Sequence, residues 1–123
     1  MITSRFTWIT AAFVSALLAA ACSSEHSGVD TAKQVSALGT DDTSTFCDWA
    51  IDKYGGESSA ASCGDAGAAP TGPTKQSCAD DLAAKKSKGC AATVAQLEDC
   101  VKAEVADRCG ARPNACASID ACK

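Results

Sequence analysis

The apolar positions of this chain change character along its length, and the changes mark its elements. Phe6 to Ala21 is an uncharged run of sixteen residues behind a start whose one charge is Arg5. It is shorter than the roughly 20 residues that cross a bilayer, and it exits through Ala19-Ala20-Ala21. A basic start, a short apolar centre and small residues at the exit predict a signal peptide over residues 1–21. From Ser23 to Asp42 the chain turns to Ser, Gly, Thr and Asp with few large apolar groups, the composition of a flexible tether.

Helical spacing starts after that. Phe46, Trp49 and Ala50 share one side of a helix expected over Ser44–Tyr54, and Cys47, Ile51 and Tyr54 share the adjacent side. Thr43 or Ser44 can cap it and Gly55-Gly56 stops it. Gly55 to Pro73 is a long loop, and Cys63 in its middle is the residue to pin it. A second helix is expected over Lys75–Lys88. Its early Asp80 and Asp81 and late Lys85, Lys86 and Lys88 suit the helix dipole, and Asp81 with Lys85 is an expected i,i+4 pair. The third is the best marked. Thr93 and Gln96 fit a capping box, and Val94, Leu97, Val101 and Val105 form the apolar stripe. Glu98 with Lys102 and Glu104 with Arg108 are expected as outward i,i+4 pairs. A fourth, short helix is expected over Pro113–Ala121, with Pro in its first turn. No segment alternates as a strand. The fold class is therefore all-α: a small disulfide-rich domain of three or four short helices, residues 43–123, behind a tether at 22–42.

Composition sharpens this. The chain holds nine cysteines in 123 residues, a density typical of an exported disulfide scaffold. The spacings from Cys47 onward run x15, x14, x11, x9, x8, x6 and x5, so no C-x-x-C pair exists. The lone histidine, His26, lies in the tether, so a metal site and a Ser-His-Asp or Cys-His catalytic arrangement are both disfavoured. Asp48 and Asp52 lie one turn apart, as general acid–base partners could, and are better explained as a solvated face. We expect no catalytic residues, no metal and no cofactor. Beyond the signal, ten basic residues face fifteen acidic ones. That surface repels nucleic acid and anionic lipid. Phe46, Trp49 and Tyr54 are expected in the core rather than at a partner surface.

Helix geometry prunes the disulfides. Bridged Cα atoms lie about 4.4–6.8 Å apart. A continuous third helix separates Cys100 from Cys109 by roughly 13 Å, and Cys78 and Cys90 bracket the second helix. Folding the fourth helix back about a turn at Gly110–Pro113 predicts Cys109–Cys116 and Cys100–Cys122. Cys47, Cys63, Cys78 and Cys90 are left to pair as 47–78 with 63–90, or as 47–90 with 63–78.

Ala19-Ala20-Ala21-Cys22 resembles the lipobox of bacterial lipoproteins, although Ala19 stands where that family usually has Leu. The resemblance covers residues 1–23. It implies cleavage before Cys22, a diacylglycerol on the Cys22 thiol and an acyl chain on its amine. Acyl chains in that number hold a protein stably on a membrane. Setting Cys22 aside leaves eight cysteines, enough for four disulfides. Ser23 is not the Asp that the family pattern links to retention at an inner membrane, which points to the outer membrane or cell surface. The mature part is loosely similar to small Cys-rich bacterial lipoproteins without assigned activity. The expected function is a non-catalytic, membrane-anchored envelope lipoprotein whose protein partner is unknown. The alternative is a soluble secreted inhibitor or toxin-like effector, released by ordinary cleavage after Ala19-x-Ala21.

Overall fold

The structure is a computed structural model that describes residues 24–64, 67 and 70–123. The expected signal peptide and Cys22 lie outside the described residues. Among the described residues the fold is all-helical: α1 (Thr40–Tyr54), α2 (Lys75–Ser87), α3 (Val94–Ala106) and a single-turn α4 (Ala117–Asp120). A 3-10 turn at Val35–Ala37 precedes α1, and another at Asn114–Cys116 leads into α4.

Local chemistry explains the helix ends. α1 begins four residues earlier than the periodicity suggests, because the Asp42 carboxylate accepts the Gly39 N–H at 3.0 Å. Asp41 and Asp42 also place negative charge at the first turn, where the dipole favours it. Gly55 ends α1 in the left-handed region at φ 87°, and the Gly56 N–H returns to the Ile51 carbonyl at 2.9 Å. Thr74 caps α2: its hydroxyl accepts from the Ser77 N–H at 3.1 Å, and the Ser77 hydroxyl accepts the Thr74 N–H at 2.9 Å. The expected box at α3 forms, with Thr93 N–H to Gln96 Oε1 at 3.0 Å and Gln96 N–H to Thr93 Oγ1 at 3.4 Å. The fourth helix is shorter than expected, since the chain from Pro113 first makes the 3-10 turn.

The core gathers Phe46, Cys47, Trp49 and Ala50 from α1, Leu82 from α2, and Val94, Leu97, Cys100 and Val101 from α3, closed by Cys116 and Ile119. The Phe46 and Trp49 rings meet at 5.5 Å between centroids, a tilted pair. Both rings are buried as expected, and Tyr54 is packed against the same cluster.

The segment expected to be a tether corrects that reading over its described part. Val29, Val35 and Leu38 are buried, Val35 completely. The backbone from Thr31 to Ser36 runs beside the α2–α3 connection. Val35 and Ser36 donate to the Ala92 and Cys90 carbonyls at 2.8 and 3.1 Å. In return, Val94 and Ala95 donate to the Lys33 and Thr31 carbonyls at 2.9 and 3.0 Å. Those two N–H groups open α3 and have no partner within the helix, so the N-terminal segment completes its cap. The segment folds because three spaced apolar side chains and these bonds replace the water it would otherwise keep.

Four disulfides lock the assembly: Cys47–Cys78, Cys63–Cys109, Cys90–Cys122 and Cys100–Cys116. Cys47–Cys78 was one of the open alternatives, and it ties α1 to α2 with Cα atoms 5.8 Å apart. The expected Cys109–Cys116 and Cys100–Cys122 do not form, and neither 63–90 nor the 47–90 and 63–78 set does. The reason is the length of α3. It stops at Ala106, so Cys109 lies beyond the helix and reaches Cys63 in the long loop. Cys116 then lies against Cys100, and the terminal Cys122 reaches Cys90 at the α2–α3 connection.

Candidate functional site

Two places concentrate side chains that chemistry could use: a groove between the helices, and a polar latch at the N-terminal segment.

The groove is about 600 Å³ and runs between α1, α2, α3 and the chain after α3. Phe46, Leu82, Leu97, Val101 and Ile119 give it an apolar floor. Its polar wall is a connected network. The Tyr54 hydroxyl donates to Glu104 Oε2 at 2.5 Å. Glu104 is also paired with Arg112, whose guanidinium meets Asp120 through two hydrogen bonds at 2.9 and 3.1 Å. Arg108 lies over the Tyr54 ring, 5.3 Å from its centroid, and donates to the Ser59 and Pro70 carbonyls at 2.5 and 2.9 Å. Burial pushes the Tyr54 phenol up, against the pull of Arg108 and Arg112, so Tyr54 stays protonated and donates. The hydrogen bond from Arg112 outweighs desolvation and holds Asp120 below the usual carboxylate range.

The network explains how the loop after α1 is held. Arg108 ties two of its carbonyls, Cys63–Cys109 ties its middle, and Gly72 packs onto Tyr54, donating its N–H to Ser59 O at 2.8 Å. A Cβ at Gly72 would come within 2.7 Å of Ser59 Oγ and 3.1 Å of Tyr54 Cβ, so a larger residue there would displace the Ser59 hydroxyl from its bond to the Tyr54 carbonyl. Glu104 and Arg108 therefore do not form the expected outward pair; each is used across the fold.

The latch centres on Glu98, on α3. It was expected outside, paired with Lys102, yet it is 1% exposed. Its Oε1 accepts the Ser27 N–H at 2.7 Å and its Oε2 meets His26 Nδ1 at 2.9 Å. Burial pushes the Glu98 carboxyl up, but the hydrogen bonds from His26 and Ser27 outweigh it and leave the group below its ordinary range. His26, expected in a tether, holds the chain to α3. No periodicity could have shown this, because the partners lie 71 and 72 residues apart. Next to the latch, the Trp49 indole N–H donates to the Ser24 carbonyl at 2.9 Å.

The other candidates separate. Asp81 pairs with Lys85 as expected, at 2.5 Å. Asp48 meets Lys75 at 2.8 Å on the exposed surface. Cys100, Glu104 and Cys116 place ligand-type atoms within 4.8 Å of one another. Both sulfurs are joined in a disulfide, which offers no thiolate to a metal.

Four disulfides mark an exported protein. Among the described residues, no helix is long and apolar enough to cross a membrane. No protein-family model, curated protein or solved structure matches this chain.

Proposed function

We propose that this protein is a non-catalytic lipoprotein of the cell envelope, held on a membrane by acyl chains at Cys22 and presenting a rigid helical domain. One observation carries the reading. The eight cysteines from Cys47 to Cys122 are all used among themselves, so Cys22 has no intramolecular partner left to it. In an exported chain a lone thiol directly after Ala19-Ala20-Ala21 is best accounted for as an acylation site. The pairing of Glu104, Arg108, Arg112 and Asp120 with one another or with the loop supports a structural role for the groove wall.

Metabolic labelling with a radioactive fatty acid tests it, in the full chain and in Cys22→Ser. Label that the variant loses supports the reading. An unlabelled wild-type product, soluble and cleaved after Ala21, favours the secreted inhibitor or effector instead.

A further inference from the structure

We infer that the domain sits directly on the phospholipid headgroup layer, with the surface around Ser24 and His26 and beside Trp49 against it. This rests on the reading of Cys22 as the acylated residue.

The inference follows from length. One residue, Ser23, separates Cys22 from Ser24. Two peptide units span at most about 7 Å between Cα atoms. Ser24 is already part of the fold. Its carbonyl accepts from the Trp49 indole at 2.9 Å, and its hydroxyl donates to the His26 carbonyl at 2.6 Å. The next two residues are fastened to the buried Glu98. No length of chain is therefore left to act as a spacer. A headgroup layer is about 5–8 Å deep on each side of the hydrocarbon. A cysteine whose thioether carries diacylglycerol lies within that layer, and a body fixed 7 Å further on rests at its outer edge.

The chemistry of the face suits this placement. Ser24, Glu25 and His26 are exposed, and the Lys53 ammonium lies 5.8 Å from the Trp49 ring centroid. A lysine lays its apolar stem along such a surface and keeps its ammonium among the headgroups. Trp49 is 6% exposed, so it flanks the contact and does not insert.

Trp49 is also the reporter, because the other tryptophan, Trp8, precedes the cleavage site. The acylated protein is reconstituted in phosphatidylcholine vesicles carrying a headgroup nitroxide, a short-range quencher. A matched variant carries about twenty Gly/Ser residues between Ser23 and Ser24, a spacer of roughly 25 Å. Trp49 fluorescence is expected to be quenched in the natural chain, and most of that quenching to be lost in the spacer variant. Equal quenching in the two proteins, with acyl mass present on both, overturns the apposition and leaves lipidation standing. A Cys22 without acyl mass overturns the lipoprotein reading and this inference with it.

Discussion

Glu98, in the middle of α3, accepts the backbone N–H of Ser27 at 2.7 Å while almost wholly shielded from water. A buried carboxylate costs stability unless its oxygens are satisfied, and here Ser27 and His26 satisfy both. Removing it strands a buried donor. Glu98→Ala is expected to cost about 1–3 kcal/mol, read by denaturant unfolding. Amide exchange should speed up over residues 24–31 before it does so in α1.

The same contact sets an acid limit. The Glu98 carboxyl titrates below its ordinary value in the folded protein, so the folded state holds fewer protons than the unfolded one. Its contribution is full above the unfolded value of about 4.3, and is lost as pH falls through the folded value. Asp42, bonded to Lys33 and Gly39, and Asp120, bonded to Arg112, act in the same direction. Stability should therefore decline below about pH 4. Glu98→Gln should flatten part of that decline, and an unchanged pH profile in this variant would remove Glu98 from the account.

The N-terminal segment belongs to the core. Leu38 is 2% exposed, and its truncation to Ala should cost about 2–5 kcal/mol. Val35→Ala should also destabilise, whereas either change in a free tether would leave the thermal midpoint where it was.

The disulfides should yield to reductant in order of access. Cys109 is exposed and Cys63 half-buried, so this bridge should open first. Cys47 and Cys116 are fully buried, so their bridges should open last. Partial reduction followed by peptide mapping reads this order. In the chain-entropy argument, closing the loop between Cys47 and Cys78, which are 31 positions apart, contributes about 3–4 kcal/mol. A Cys47→Ala/Cys78→Ala protein should lose about that much.

Tyr54 and Glu104 join the end of α1 to α3. Tyr54→Phe keeps the ring beneath Arg108 and removes one hydrogen bond, for a loss of about 1 kcal/mol. A double-mutant cycle with Glu104→Gln should give a coupling of the same sign, since Glu104 keeps Arg112 in the single variant.

What could be read along the chain was local. The Thr93–Gln96 box, the Gly55 stop, the Asp81–Lys85 pair and the apolar stripe of α3 each join residues at most a few positions apart, and the fold keeps all of them. The even set of eight cysteines beyond Cys22 was likewise a matter of counting. Tertiary structure decided the partners. Cys63 reaches Cys109 across 46 positions. That choice depended on α3 ending at Ala106, a boundary no nearby residue announced. Glu98 and Ser24–Leu38 were misplaced for a related reason. Polar composition shows what a segment would do alone in water, whereas burial depends on which carbonyls and apolar surfaces come to meet it. At α3 the arriving chain brought the Thr31 and Lys33 carbonyls to the helix's first unpaired N–H groups, and that exchange turned an expected tether into part of the domain.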